Sequence, residues 1–193
     1  METPKNTTFH ARGTTPIGSA MIPITANSGV TLVPFHWGHV AMMDLRWFER
    51  NYFRCLPDYK QRLQQYGQYP HCYSALYRGK VACCWGVLPV WGGVAEAWLL
   101  TSDIVSIAPV SLTRGAMRYF DTIVDQMRLF RLQIVVDSRN TLAIRWAEVL
   151  HFVREGTLKS FGPDGADYYM YARITDGWHP KKAKGSDPGT DCA

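Results

Sequence analysis

Apolar residues recur along this chain at two alternating periods. Val30-Thr-Leu-Val-Pro34 reads as a short strand. Trp37, Ala41, Leu45, Phe48 and Tyr52 stand at helical spacing and predict one helix over 38–53. A second, shorter helix is predicted over 57–65. Residues 71–77 and 81–88, joined through Arg78-Gly79-Lys80, read as a hairpin. A further turn over 89–93 leads to a third consecutive strand, 94–101. Leu112, Ala116, Tyr119, Phe120, Ile123, Val124 and Met127 mark the apolar face of the longest helix, 111–130. Residues 132–136 are apolar apart from Gln133, as in a strand covered on both faces. A short helix over 141–150 and a last hairpin, 152–161 and 167–174, complete the order β-α-α-β-β-β-α-β-α-β-β. The turn Gly162-Pro163-Asp164-Gly165 closes that hairpin. The pattern describes one α/β domain over 30–176.

The flanks lack periodicity. Residues 1–29 are rich in Thr, Pro, Gly and Asn and read as an extended or flexible arm. Residues 177–193 read as a flexible basic tail carrying Lys181, Lys182 and Lys184. Trp178 stands in that tail with no local core to enter, which marks it, with Lys181 and Lys182, as a candidate contact anchor.

A length of 193 residues suffices for one domain with its own core. No apolar run approaches the roughly 20 residues of a membrane-spanning helix, and 1–20 hold no apolar leader segment. Five cysteines form no Cys-x-x-Cys pair, which fits reduced thiols better than a disulfide framework. The net charge of +5 attracts anions without selecting among nucleotides, nucleic acid or coenzyme A. No nucleic-acid-binding motif is present, nor a Gly-x-Ser-x-Gly elbow. His36 and His39 lie one helical turn apart but lack a third ligand at metal spacing, so no metal site is assigned. Cys83 and Cys84 read as buried structural thiols.

The densest signal lies between Val135 and Phe152. A buried strand ends at Asp137, a polar turn carries Asn140, and a helix with Ala143, Trp146, Ala147 and Leu150 runs straight into another strand. This resembles the second half of the GNAT N-acetyltransferases, the match resting on Asn140, Ala143, Leu150 and Phe152. Trp146 stands where that family has Tyr, and His151 where it has Gly. The resemblance spans about 30–174. It implies a single domain with a mixed twisted central sheet flanked by helices and splayed near its centre, with 94–101 and 132–136 as parallel neighbours, and acetyl-CoA as cofactor.

The resemblance also implies a glycine-rich pyrophosphate loop opening the long helix, where backbone amides cradle phosphate. Only Arg114, Gly115 and Ala116 echo it. They read either as a degenerate coenzyme A site, with Asn140 nearby, or as an ordinary helix start. Glu96, flanked by Ala95 and Ala97, is the candidate base for deprotonating an acceptor amine, or else a solvent-facing strand residue. Trp146 cannot replace a tyrosine acid, because its indole N–H does not titrate.

The stretch Ala97-Trp-Leu-Leu-Thr-Ser-Asp103, with a longer loop lacking glycine, is similar to the small GNAT-like internal virion proteins of T7-type phages. That likeness implies a degenerate, virion-associated structural or morphogenesis protein of the infected host cytoplasm, with other virion or assembly proteins as partners. The alternative is an active acetyl-CoA-dependent N-acetyltransferase modifying a protein or a small amine.

Overall fold

The computed structural model describes residues 29–107 and 109–175. Trp178, Lys181 and Lys182 lie outside them, as do most of the two flanks.

The chain opens with β1 (Val30–Pro34), followed by α1 (Trp37–Ala41) and α2 (Trp47–Cys55). The single helix expected over 38–53 is therefore two. His36 caps α1, its Nδ1 accepting from the Gly38 amide at 3.1 Å, and the helix stops at Met42. The intervening segment bonds to a strand end instead. Leu45 bridges Ser102, and the Arg46 amide donates to the Thr101 carbonyl at 3.4 Å. Backbone pairing with the sheet thus overrides the helical stripe that Leu45 seemed to continue. α3 (Tyr59–Tyr66) completes this layer.

Two tight hairpins follow. β2 (Cys72–Tyr77) turns into β3 (Lys80–Trp91) through Arg78 and Gly79, both at positive φ (49° and 79°), as a two-residue hairpin loop requires. β3 runs through Pro89 to Trp91 with a bulge, so the turn expected over 89–93 narrows to Gly92 and Gly93 before β4 (Val94–Thr101). A 3-10 turn (Asp103–Ile107) leads into α4 (Pro109–Gln126). Then come β5 (Arg131–Asp137), α5 (Thr141–Val149), β6 (Val153–Leu158) and β7 (Tyr168–Ile174).

Among the described residues, seven strands lie in the order β1-β2-β3-β4-β5-β7-β6, and every pairing is antiparallel except β4 with β5. That parallel pair is short. Val94, Ala95 and Glu96 face Arg131, Leu132 and Gln133, and there it ends. β4 stays on β3 to Thr101 and β5 stays on β7 to Asp137, so the sheet opens between them.

One face carries α4 and α5 over Ala95, Phe120, Ile123, Leu132, Leu150 and Tyr171. The other packs Phe35, Val40, Leu63, Cys84 and Leu100 with the α1 and α3 layer. α5 ends where His151 takes φ 64°, and the Phe152 amide closes back on the Ala147 carbonyl at 3.0 Å. That is the left-handed stop usually given to glycine.

Candidate functional site in the strand splay

Where β4 and β5 part, a cleft of about 530 Å³ runs through the sheet. Ala97, Leu99 and Thr101 supply one wall and Ile134 to Asp137 the other. α2 closes one end with Phe48, Glu49 and Tyr52. α4 and α5 close the opposite side with Gly115, Ala116, Ala143 and Trp146. From Ala97 to Leu100 β4 pairs, among the described residues, only with β3, so its other edge presents backbone donors and acceptors to the cleft until Thr101 is met by Arg46 and Glu49. An apolar channel with one open strand edge suits a narrow linear ligand carrying amide groups.

The polar groups of the cleft come in three sets. Glu49, 8% exposed, accepts through Oε1 from the Thr101 amide at 3.2 Å and from the Thr101 hydroxyl. Its Oε2 is buried without a hydrogen-bond partner. Asp137 has both oxygens engaged by Arg139, the shortest contact being 2.6 Å. Arg139 reaches on to Asp164 at 2.9 Å, and the Asn51 amide donates to the same Asp164 oxygen at 2.9 Å. This network ties the β5–α5 turn, the β6–β7 loop and α2 together at the mouth of the cleft. The Arg139 guanidinium holds the Asp164 carboxyl below its usual range. The Tyr52 and Tyr168 hydroxyls lie 2.8 Å apart, and burial pushes the Tyr52 phenol far above its ordinary value, so it stays protonated at neutral pH.

The residues expected from sequence are distributed unevenly. Gly115, Ala116 and Asn140 line the cleft, while Glu96 and Arg114 do not. Glu96 sits at the last position of β4 that pairs with β5, on the side opposite Ala95 and Ala97, and accepts from Gln133 Nε2 at 3.0 Å. Arg114 is exposed, and Arg114 to Ala116 lie past the first turn of α4, where helical bonding takes up their amides. The free amides of that helix start belong to residues 110–112, because Pro109 has none. Asn140 caps α5, its Oδ1 accepting from the Ala143 amide at 3.1 Å. Trp146 donates its indole N–H to Thr113 Oγ1 at 2.9 Å.

His36 and His39 cap α1, and His39 Nδ1 also meets Ser74 Oγ at 2.9 Å. Among the described residues no three His, Cys, Asp or Glu side chains are grouped to hold a metal. Cys72, Cys83 and Cys84 are buried free thiols, which burial pushes up to about 11, 12 and 11 respectively. No helix among the described residues is long and apolar enough to cross a membrane.

Glu49, Tyr52 and the Asp137–Arg139 pair escaped the sequence reading. Within Trp47-Phe-Glu-Arg-Asn-Tyr, a glutamate beside an arginine reads as a solvated helix face. Yet the buried residues of α2 are Glu49 and Asn51, both polar.

No protein-family model matches the sequence, and no curated protein matches it. Solved structures do resemble the fold. The ribosomal-protein-S5-alanine acetyltransferase of Vibrio fischeri superposes with a TM-score of 0.57 at 17% identity, covering 79% of this chain and 96% of that one. A ribosomal L7/L12 alpha-N-protein acetyltransferase solved in complex with coenzyme A gives 0.60 at 17% identity, over 79% and 97%. Ard1 from Thermoplasma volcanium gives 0.58 at 14%, over 77% and 99%. With the parallel β4–β5 pair, the splay beyond it and the helices on both faces, the chain has the GNAT acetyltransferase fold.

Proposed function

We propose that the chain binds acetyl-CoA in the β4–β5 cleft and transfers the acetyl group to an amine. The observation that carries this reading is the open edge of β4 inside an apolar channel. The pantetheine arm is narrow and linear and carries two amides, so it fits an unpaired strand edge. Gly115 supports the fit, since a methyl group built there would meet nothing within 4 Å. The phosphate end differs from the family pattern. A 3-10 turn replaces the glycine-rich entry, and the amides of 110–112, with Arg114 one turn on, are the groups available to an anion.

Acetyl-CoA would supply an activated thioester. The chain's residues exclude water from the channel, orient the arm along β4, and hold a proton on Tyr52 at the α2 end. Arg139 occupies both oxygens of Asp137. The direct test is release of coenzyme A thiol from acetyl-CoA in the presence of a mixture of primary amines. Amine-dependent thiol release supports the reading. Its absence at millimolar cofactor, with the protein folded, removes the catalytic claim.

A second reading is a catalytically silent, virion-associated structural or morphogenesis protein. It is favoured by Trp146, whose N–H is held by Thr113 where a tyrosine could give up a proton, and by the entry loop that lacks glycine. Mass spectrometry of purified phage particles tests it, and absence of the chain from them removes it.

A further inference from the structure

A carboxylate shielded from water is costly unless a cation or several donors meet it. Glu49 is such a group. Thr101 holds its Oε1 through two bonds, and this fixes the carboxylate plane. Oε2 is left buried with no partner. Glu49 stands in the first turn of α2, at the partial positive charge of the helix N-terminus, but among the described residues of the lining no cation is directed at it. Asp137 is the other carboxylate in the lining and is already matched by Arg139. Arg46, the lining cation, lies 3.7 Å from Asp103. Beside Glu49 on the same helix, Phe48 and Tyr52 also line the cleft and present aromatic surface. An ammonium group that reached Oε2 from the cleft would meet an oxygen whose orientation Thr101 already fixes, on a helix that also brings the Phe48 and Tyr52 rings to the lining.

We propose that Glu49 is the acceptor-binding carboxylate of the cleft, and that it selects a cationic primary amine carried on an apolar or aromatic body. The inference rests on the acetyl-transfer reading and names its acceptor class. Glu49 acts as a binding and positioning group: it meets the ammonium before transfer and sets where the nitrogen enters.

The experiment compares the full chain with Glu49→Gln and Thr101→Val. Tyramine and tryptamine are the probes, with the neutral alcohols tyrosol and tryptophol as controls, titrated by isothermal calorimetry with and without saturating coenzyme A. Wild type should bind the amines and discriminate against the alcohols. Glu49→Gln should weaken amine binding roughly 30-fold, the factor for about 2 kcal/mol, and erase the discrimination. Its thermal midpoint without ligand should match or exceed that of wild type, because an uncompensated buried charge has gone. Thr101→Val keeps the carboxylate and should keep the preference for amines.

Equal binding of amines and alcohols by wild type, or binding of neither, overturns the proposal. So does a lowered midpoint in Glu49→Gln with amine binding retained, or loss of the preference in Thr101→Val as well, since both make Glu49 structural. Acetyl-CoA binding is measured in parallel. If it persists while the amine preference is absent, this inference fails alone; if wild type binds no acetyl-CoA, the reading beneath it fails.

Discussion

His151 offers a sharp test of the fold reasoning, because it occupies a position whose backbone the structure specifies and whose side chain it barely uses. Its φ of 64° places it in the left-handed region, and the side chain is exposed. The Phe152 amide bonds to the Ala147 carbonyl and the His151 amide to the Glu148 carbonyl, both at 3.0 Å, which locks that conformation. A residue with a Cβ costs about 1–2 kcal/mol there. Glycine removes the strain but widens the unfolded ensemble by about 0.5–1 kcal/mol. His151→Gly should therefore stabilise the protein by about 0.5–1 kcal/mol. At this chain length that is a rise in thermal midpoint of roughly 1–4 °C. The assay is thermal and urea unfolding followed by circular dichroism, with an unchanged urea slope as evidence that only stability has moved. His151→Ala keeps the Cβ and should show no such gain. An unchanged or lower midpoint in His151→Gly, or an equal gain in His151→Ala, refutes the argument.

Three further outcomes are expected. Gly115→Ala should raise the thermal midpoint through about 0.5–1 kcal/mol of helix propensity, as its methyl meets nothing within 4 Å, and should weaken acetyl-CoA binding by intruding on the cleft; calorimetry reads both. Gly86→Ala should destabilise by about 1–3 kcal/mol in urea unfolding, because its Cβ would lie 2.2 Å from Cys72 Sγ and 2.7 Å from Trp98 Nε1 in a packed layer. Arg139, Lys159 and Arg131 hold Asp164, Asp167 and Glu155 below their ordinary values of 3.8, 3.8 and 4.5. Depressed carboxyl groups add stability above those values that is lost as pH falls through and below them, so the urea midpoint should drop between about pH 5 and pH 3, and a flat or rising profile would contradict the pairing.

Much of the sheet was legible because its strands are bounded by strong local signals. Arg78-Gly79 turns the chain where both φ values are positive, Gly93 at φ 77° does so between β3 and β4, and β5 buries Leu132 and Val136. The break between α1 and α2 was not legible, since the residues from Met42 to Arg46 answer to Ser102 and Thr101, more than fifty positions away. The site was legible only in outline. Asn140, Gly115 and Ala116 carry local motifs and do line the cleft. Glu96 sits on the expected strand, but strand alternation and its bond from Gln133 direct it away from the opening. Glu49 and Tyr52 become site residues only because α2 crosses the ends of two strands that part, a long-range result that no local period records.

The central claim is that the opening between β4 and β5 holds the cofactor, and it is tested most directly by titrating acetyl-CoA into wild type and Ala97→Phe. Ala97 lines the channel, and a phenyl ring there would fill it. Wild type at 100 times the dissociation constant should gain about 2.7 kcal/mol, which at this chain length is roughly 5–10 °C in thermal midpoint, and folded Ala97→Phe should gain nothing. No shift in wild type at millimolar acetyl-CoA, or an equal shift in Ala97→Phe, would contradict the account.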